Sequence, residues 1–209
     1  MKDTILHRVR TALARSAGAA PDAAPDARIR IPEYQPERLV EMFSVALAAL
    51  TGKTYEVGSP AAARGKIEEL ISGKTAVASP SPLLRDWGIT GLPGVRSGFA
   101  DARALREAAA AADFGITVAE YGLAETGTLV MMASAEESRL VSLLPPVHIA
   151  ILQRERLLTG LDEFYARFPL PGEHTSATVF ITGPSRTADI EMLLVRGVHG
   201  PGAIHVIVV

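Results

Sequence analysis

The first place to look for chemistry in this sequence is the segment Glu120–Thr128, which is rich in carboxylates, hydroxyls and glycines. Glu125 stands two residues before Gly127 and can act as a general base, a nucleophile or an acceptor for a ligand hydroxyl, while the glycine lets a ligand approach the backbone. The same residues also suit a hairpin or bulge turn in which Gly127 has a positive φ and Glu125 is solvated. The segment predicts a compact polar turn, with Glu125 as a candidate catalytic group and Gly127 and Thr128 as candidate ligand contacts.

A second candidate site begins at Gly183, at the end of an apolar segment. Polar residues follow it, namely Ser185, Arg186, Thr187 and Asp189. The spacing predicts a helix from Ser185 to Arg196, whose first free N–H groups can bind an anion while Arg186 binds a carboxylate or phosphate in bidentate fashion. Ordinary helix capping by Ser185 or Thr187, with Asp189 near the positive end of the helix dipole, accounts for the same residues. Both interpretations stay open.

The histidines are the next candidates, and they are His7, His148, His174, His199 and His205. Their spacing matches no common metal-ligand pattern, so no metal site is predicted. His199 lies in a glycine-rich turn, where an imidazole can transfer protons near neutrality or can simply be part of the turn. His148 lies inside an apolar segment and is expected to be a core residue. His199 is therefore the histidine we consider as a catalytic candidate.

Composition excludes several classes of function. None of the 209 residues is a cysteine, which rules out disulfides, a cysteine nucleophile and iron–sulfur clusters held by thiolates of this chain. The net charge of −2, without a dense stripe of Lys and Arg, argues against a nucleic-acid duplex as the main partner. The sequence also lacks the phosphate-loop, dinucleotide-binding and nucleophile-elbow motifs.

The amino-terminal region differs from the rest of the chain. Apolar residues at helical spacing predict an amphipathic helix over 3–15, and the Ala, Pro and Asp content of 16–36 predicts a flexible linker. The charges within 1–15 do not fit a secretory signal, and no apolar stretch reaches the roughly 18 to 20 residues needed to cross a bilayer. We expect an amino-terminal helix and linker at 1–36, a folded domain at 37–209, and a cytoplasmic protein.

Helical and strand patterns alternate through the domain. Helices are predicted from Pro36 to Gly52, from Ser59 to Gly73, over 102–112, over 161–168 and over 185–196. Strands are predicted over 54–57, 75–78, 116–119, 128–132, 147–152, 178–182 and 204–209. The most apolar strands suit the centre of a mostly parallel sheet covered by helices in three layers, an α/β fold. Ligands are then expected at the carboxyl ends of strands, in the loops after Ala119, Val130 and Thr182.

Four segments together resemble the lactate utilization protein C family, whose members carry a LUD domain. They are Ala124–Thr128, Ser142–Ile149, Thr182–Glu191 and Gly197–Pro201. The close similarity covers about the last hundred residues, while the amino-terminal half matches in its pattern of a leading helix, a linker and βα units. The resemblance implies a sheet of the NagB/RpiA/CoA-transferase-like type, in agreement with the α/β interpretation.

The resemblance also implies a function. The chain would be a non-redox subunit of a three-component system that oxidises L-lactate to pyruvate, with no cofactor of its own, iron–sulfur clusters on its partner proteins and a small carboxylate or other anion as ligand. An alternative is an independent enzyme of the same fold, of the isomerase, CoA-transferase or cyclo-ligase type. Glu125 and His199 would then react with an anionic substrate that Arg186 binds.

Overall fold

The computed structural model describes residues 2–14, 31–187 and 195–209. Residues 1–30 and 31–209 form two separate units. In the first unit, the amphipathic helix predicted over 3–15 is present as α1 (Lys2–Ala12). Most of the predicted linker lies outside the described residues. Its last part belongs to the second unit, where the Thr159 hydroxyl donates a hydrogen bond to the Pro32 carbonyl (3.1 Å).

Helices and strands alternate along the second unit. Its helices are α2 (Pro36–Ala49), α3 (Pro60–Leu70), α4 (Pro82–Asp86), α5 (Ala102–Ala111), α6 (Arg139–Leu143) and α7 (Leu161–Arg167). Its first strands are β1 (Lys53–Glu56), β2 (Ala76–Ala78), β3 (Val95–Arg96), β4 (Phe114–Val118), β5 (Tyr121–Leu123) and β6 (Thr128–Met132). The remaining strands are β7 (Val147–Leu152), β8 (Leu157–Leu158), β9 (Thr178–Ile181), β10 (Arg186–Thr187), β11 (Val195–Arg196) and β12 (Ala203–Val208).

Six strands form a wholly parallel central sheet in the order β1-β12-β7-β4-β2-β3. Successive side chains of a strand point to opposite faces, so an apolar run such as Val147–Leu152 supplies core residues to both. Ile149 and Ile151 pack with α3 and α4 on one face, whereas Ala150 and Leu152 pack with α2 on the other. The predicted α/β fold with a mostly parallel sheet covered on both faces is confirmed.

A second sheet lies over the α2 face and was not predicted. It has the order β8-β5-β6-β9, with antiparallel pairing between β5 and β6 and between β6 and β9. Its strand β5 falls within the predicted polar turn Glu120–Thr128, where Tyr121 and Leu123 are buried against Phe164 of α7. Sequence inspection missed β5 because three residues are too few to show the period of two that identifies a strand.

The helix predicted from Ser185 to Arg196 is wrong at both ends. Arg186 and Thr187 form β10, which pairs antiparallel with Arg196 and Val195 of β11. The backbone of Ser185 is also extended, since its N–H donates to the Pro201 carbonyl (2.8 Å) and its carbonyl accepts from the Gly197 N–H (3.0 Å). Because Gly197 and Pro201, in the loop between β11 and β12, satisfy these backbone groups, no helix begins at Ser185, and the described residues provide no helix terminus for an anion there.

Short elements also occupy segments that were predicted as loops. The region from 79 to 101 contains α4 and the edge strand β3, and α6 precedes β7. We call the side of the parallel sheet where its strands end the carboxyl edge, and the side where they begin the amino edge. β2, β3 and β4 end at Ala78, Arg96 and Val118, so the residues that follow them lie at the carboxyl edge.

Candidate functional site

Described residues from three of the four segments that carry the family resemblance meet at the amino edge. A cleft of about 470 Å³, here called the motif cleft, lies between the start of β12 and the loop that follows β9. Its polar side chains come from Thr182, Ser185, Arg186 and His199, and Ile204 of β12 lies in its wall. The loop after Thr182 was expected at a carboxyl edge, but β9 belongs to the second sheet, so this loop reaches the opposite side of the parallel sheet.

Gly183 and Arg186 contact the end of α2. The Arg186 Nη2 atom donates a hydrogen bond to the Leu50 carbonyl (3.0 Å), one of the carbonyls that the end of a helix leaves without an intrahelical partner. Gly183 has φ +78°, and a Cβ atom at this position would lie 2.8 Å from the Leu50 Cβ atom. Only glycine therefore allows the loop to approach α2 this closely.

Ser185 organises the turn that contains His199. Its Oγ atom accepts a hydrogen bond from the His199 N–H (3.3 Å), while the imidazole itself is exposed. The backbone of His199 is thus held beside the wall of the motif cleft. Thr187 lies in β10, and Asp189, the last predicted anion contact, lies outside the described residues.

A chain of hydroxyls links the two predicted sites. The Thr128 Oγ1 atom lies 2.7 Å from Oγ1 of Thr126 and 2.8 Å from Oγ1 of Thr182. Thr128 is almost fully buried, and the three threonines line a smaller cavity of about 320 Å³ beside the motif cleft. The predicted contact Thr128 is therefore a buried member of a polar chain.

Glu125 and Gly127 lie apart from His199. Glu125 is exposed, does not line the motif cleft, and packs its carboxyl group against Gly160. Gly127 is buried with φ +61°, and a Cβ atom here would lie 2.8 Å from the Leu47 Cα atom of α2. The structure thus brings together Gly183, Ser185, Arg186 and His199, and it places Glu125 elsewhere.

A different polar cleft, the Glu137 cleft, lies at the carboxyl edge. It has a volume of about 330 Å³, and its wall includes Ser81, Val118, Glu120, Glu136, Glu137 and His174. The Ser79 hydroxyl, directly after β2, donates to one oxygen of Glu137 (2.6 Å), and the Val118 N–H donates to the other (3.2 Å). Both carboxyl oxygens are therefore held by groups at the ends of parallel strands.

The environment of Glu137 changes its proton affinity. Burial raises the pKa of its carboxyl group to about 7, and the charges of Glu120 and Glu136 act in the same direction. The hydrogen bonds from Ser79 and Val118 lower the pKa but do not outweigh burial. A carboxyl group that exchanges its proton near neutrality can serve as a general acid or base.

His148 of β7 lies in the core of the domain. It is fully buried, and its Nε2 atom is 2.8 Å from the Thr117 hydroxyl, whereas Nδ1 has no hydrogen-bond partner among the described residues. Burial lowers the pKa of His148 to about 4, so the imidazole is neutral at physiological pH. The predicted core position is confirmed, with one of its two ring nitrogens left unsatisfied.

The described ranges contain neither a metal-ligand cluster nor a membrane-spanning helix. Within residues 2–14, 31–187 and 195–209, no group of three or more His, Asp or Glu side chains could hold a metal ion. In the same ranges no helix is long and apolar enough to cross a membrane.

Sequence inspection missed Ser79 and Glu137. Ser79 follows a predicted strand directly, so the rule that pointed to the loop after Ala119 could have identified it. Glu137 offers no comparable signal, because it lies between short elements and reaches the cleft only through the tertiary fold.

Comparison with known proteins identifies the family. The LUD domain model matches residues 40–209. A protein of Halalkalibacterium halodurans named Lactate utilization protein C is 31% identical over 215 residues, covering 96% of this chain and 94% of that protein. Its namesake in Exiguobacterium sp. is 44% identical over 110 residues, 51% of this chain and 48% of that protein. The crystal structure of a DUF162 family protein from Deinococcus radiodurans has a TM-score of 0.66 at 20% identity, covering 84% of this chain and 99% of that one, and it supports the fold. The chain belongs to the LUD domain family.

Proposed function

We propose that this chain is a non-redox subunit of a lactate utilization system that oxidises L-lactate to pyruvate. The observation that carries this proposal is its similarity, over nearly the full length of both chains, to the Lactate utilization protein C of Halalkalibacterium halodurans. In the proposed system the two electrons released by lactate pass to iron–sulfur clusters on two partner proteins.

The amino-acid composition supports placing the clusters on the partners. Iron–sulfur clusters in proteins are held mainly by cysteine thiolates, and none of the 209 residues is a cysteine. The role left to this chain is binding of a ligand, docking of partners, or both.

The motif cleft is the proposed site for a small carboxylate. It combines the guanidinium group of Arg186, the hydroxyl of Ser185 and the imidazole of His199 within about 470 Å³. All three can donate hydrogen bonds to a carboxylate, and an arginine can do so through two parallel N–H groups. In this proposal the carboxylate is bound by side chains and not by the N–H groups of a helix terminus, because no helix begins at Ser185.

Gene deletion in the native host tests the proposal. We expect the deletion strain to lose growth on L-lactate and lactate-dependent dye reduction in extracts, while growth on pyruvate, the control, is kept. A tagged copy should restore both and co-purify with two iron–sulfur proteins. Unchanged growth and dye reduction on L-lactate would contradict the proposal.

We propose an independent enzyme acting on an anionic substrate as the second candidate. The Glu137 cleft favours it, since a carboxyl group with a pKa of about 7 stands at the edge where parallel sheets bind ligands. Thermal unfolding with L-lactate, sugar phosphates, CoA esters, folates and nucleotides separates the two candidate functions. A ligand at 100 times its dissociation constant adds about 2.7 kcal/mol to the unfolding free energy. Stabilisation by one of the last four classes, lost in Glu137→Gln, supports the enzyme, and no stabilisation by any of them argues against it.

A further inference from the structure

A third cleft, which we call the arginine cleft, lies at the carboxyl edge beside β3. It has a volume of about 660 Å³, and its wall includes Pro80, Arg85, Thr90, Arg96, Ser97 and Phe99. Pro80 belongs to the segment after β2, and the next residue, Ser81, lines the Glu137 cleft. The two clefts therefore flank the same short segment at the end of β2.

The arginine cleft is positively charged, although the whole chain has a net charge of −2. Its wall contains Arg85 and Arg96 and no carboxylate. In the ranges that the structure describes, neither arginine forms an ion pair. Two guanidinium groups without carboxylate partners in one concave surface attract an anion.

Arg96 is held in place before any ligand arrives. Its backbone is in β3, in register with Val77 of β2, and its guanidinium group lies over the Phe99 ring at 5.2 Å from the ring centroid. Stacking on an aromatic ring restricts the planar guanidinium group while its N–H groups remain able to donate in the plane. An arginine restricted in this way loses less conformational entropy on binding.

Ser97 has a hydrogen-bonding group that the protein does not satisfy. Its Oγ atom is buried and has no hydrogen-bond partner among the described residues. An unsatisfied buried hydroxyl is costly, and a ligand oxygen in the adjoining cleft would supply the missing partner after a small movement of the loop. The loop can turn at the next residue, because Gly98 has φ +71° and no heavy atom within 4 Å of the position of a Cβ atom.

We propose that the arginine cleft binds an organic anion larger than lactate, through a carboxylate or phosphate group held by Arg85 and Arg96. The volume of about 660 Å³ lies within the range of small-molecule sites and exceeds the needs of a three-carbon acid. The inference is independent of the proposed role in lactate use, because it rests on residues outside the motif cleft.

Binding of two probes to the full chain tests the inference. Citrate represents carboxylates and fructose 1,6-bisphosphate represents phosphates, with L-lactate as the size control. Titrations are followed by calorimetry and by the fluorescence of Trp87, the single tryptophan, two residues after Arg85. We expect at least one probe to saturate the protein, and the stronger probe identifies whether the site prefers carboxylate or phosphate.

Substitutions locate the bound probe. Arg85→Ala and Arg96→Ala should each weaken binding at least about 10-fold, the loss expected for a charge-assisted hydrogen bond. The matched control Arg103→Ala removes an equal charge from an exposed side chain of α5 and should leave the affinity unchanged. If Arg96→Ala disturbs the Phe99 stack and fails to fold, the exposed Arg85 still provides the test.

Two results would overturn the inference. One is the absence of any binding to wild type with a dissociation constant below about 1 mM for both probes. The other is binding that Arg103→Ala weakens as much as Arg85→Ala and Arg96→Ala do. Binding that Arg186→Ala in the motif cleft weakens, while Arg85→Ala and Arg96→Ala leave it unchanged, would count in the same way. Neither result bears on growth on L-lactate, so the inference can fail while the proposed function stands.

Discussion

The residues at the amino edge and at the carboxyl edge of the parallel sheet have different roles. At the amino edge, residues of the family-resemblance segments contact α2, as Gly127 does with Leu47 and Arg186 with the Leu50 carbonyl. At the carboxyl edge, Glu137 lies in an open cleft and exchanges its proton near neutrality. The contrast indicates that a family-specific motif can be largely architectural while chemically adaptable groups lie at the other end of the strands.

The largest effect is expected for Gly127→Ala. The new methyl group would collide with the backbone of Leu47 and would stand at φ +61°, so we expect a loss of about 3 kcal/mol of unfolding free energy. Gly73→Ala is the matched control, since Gly73 has φ +68° but open space around it, and should cost about 1 kcal/mol. Urea unfolding measures both. Equal losses would show that the motif glycine does not act through its contact with α2.

A smaller, pH-dependent effect is expected for Glu137→Gln. Since the pKa of this acid is raised from 4.5 to about 7 by folding, the contribution of Glu137 to the unfolding free energy should fall as pH increases through this window. The neutral glutamine removes that fall, so the variant should equal wild type near pH 4.5 and exceed it by about 1 kcal/mol at pH 8, a value reduced for partial exposure.

Chemical denaturation across this pH range measures the difference between the two proteins. Glu136→Gln is the control, because Glu136 is an exposed neighbour in the same cleft and should leave the fall in place. A difference in unfolding free energy between wild type and Glu137→Gln that stays constant from pH 4.5 to pH 8 would contradict the altered proton affinity of Glu137.

The smallest effect is expected for Arg186→Ala. Loss of the hydrogen bond to the Leu50 carbonyl at the end of α2 should lower the unfolding free energy by about 0.5 to 1 kcal/mol. Thermal unfolding with and without L-lactate then tests ligand binding by the same residue. If lactate stabilises wild type and not the variant, Arg186 binds the carboxylate as well as α2, and the contrast between the two edges weakens.

Much of the fold was predictable because its central strands and helices carry strong local signals. The run Val147–Leu152 is apolar except for His148, as suits a strand buried on both faces, and Ser59 with Pro60 marks the start of α3. The same reasoning failed at Ser185–Arg196. There the composition of a capped helix is present, but the backbone of Ser185 bonds to Pro201 and Gly197, which are remote in sequence.

The candidate site was less predictable because its geometry depends on strand order. The sequence placed the loop after Thr182 at a carboxyl edge, since it follows an apolar strand, but could not show that β9 belongs to another sheet. Arg85 and Arg96 belong to short elements, α4 and β3, that sequence periodicity cannot detect. Their approach to one cleft appears only when β3 pairs with β2.

The position of β12 between β1 and β7 has a consequence for the order of folding. β1 pairs only with β12 within the described residues, and their contact Tyr55–His205 joins groups 150 positions apart in the sequence. Contacts at such separation form slowly, because a long segment of chain must be closed first. Until β12 inserts, β7 presents an open strand edge to which other chains can add. Assembly of this sheet therefore ends in its middle, and the interval before that step is when aggregation competes with folding.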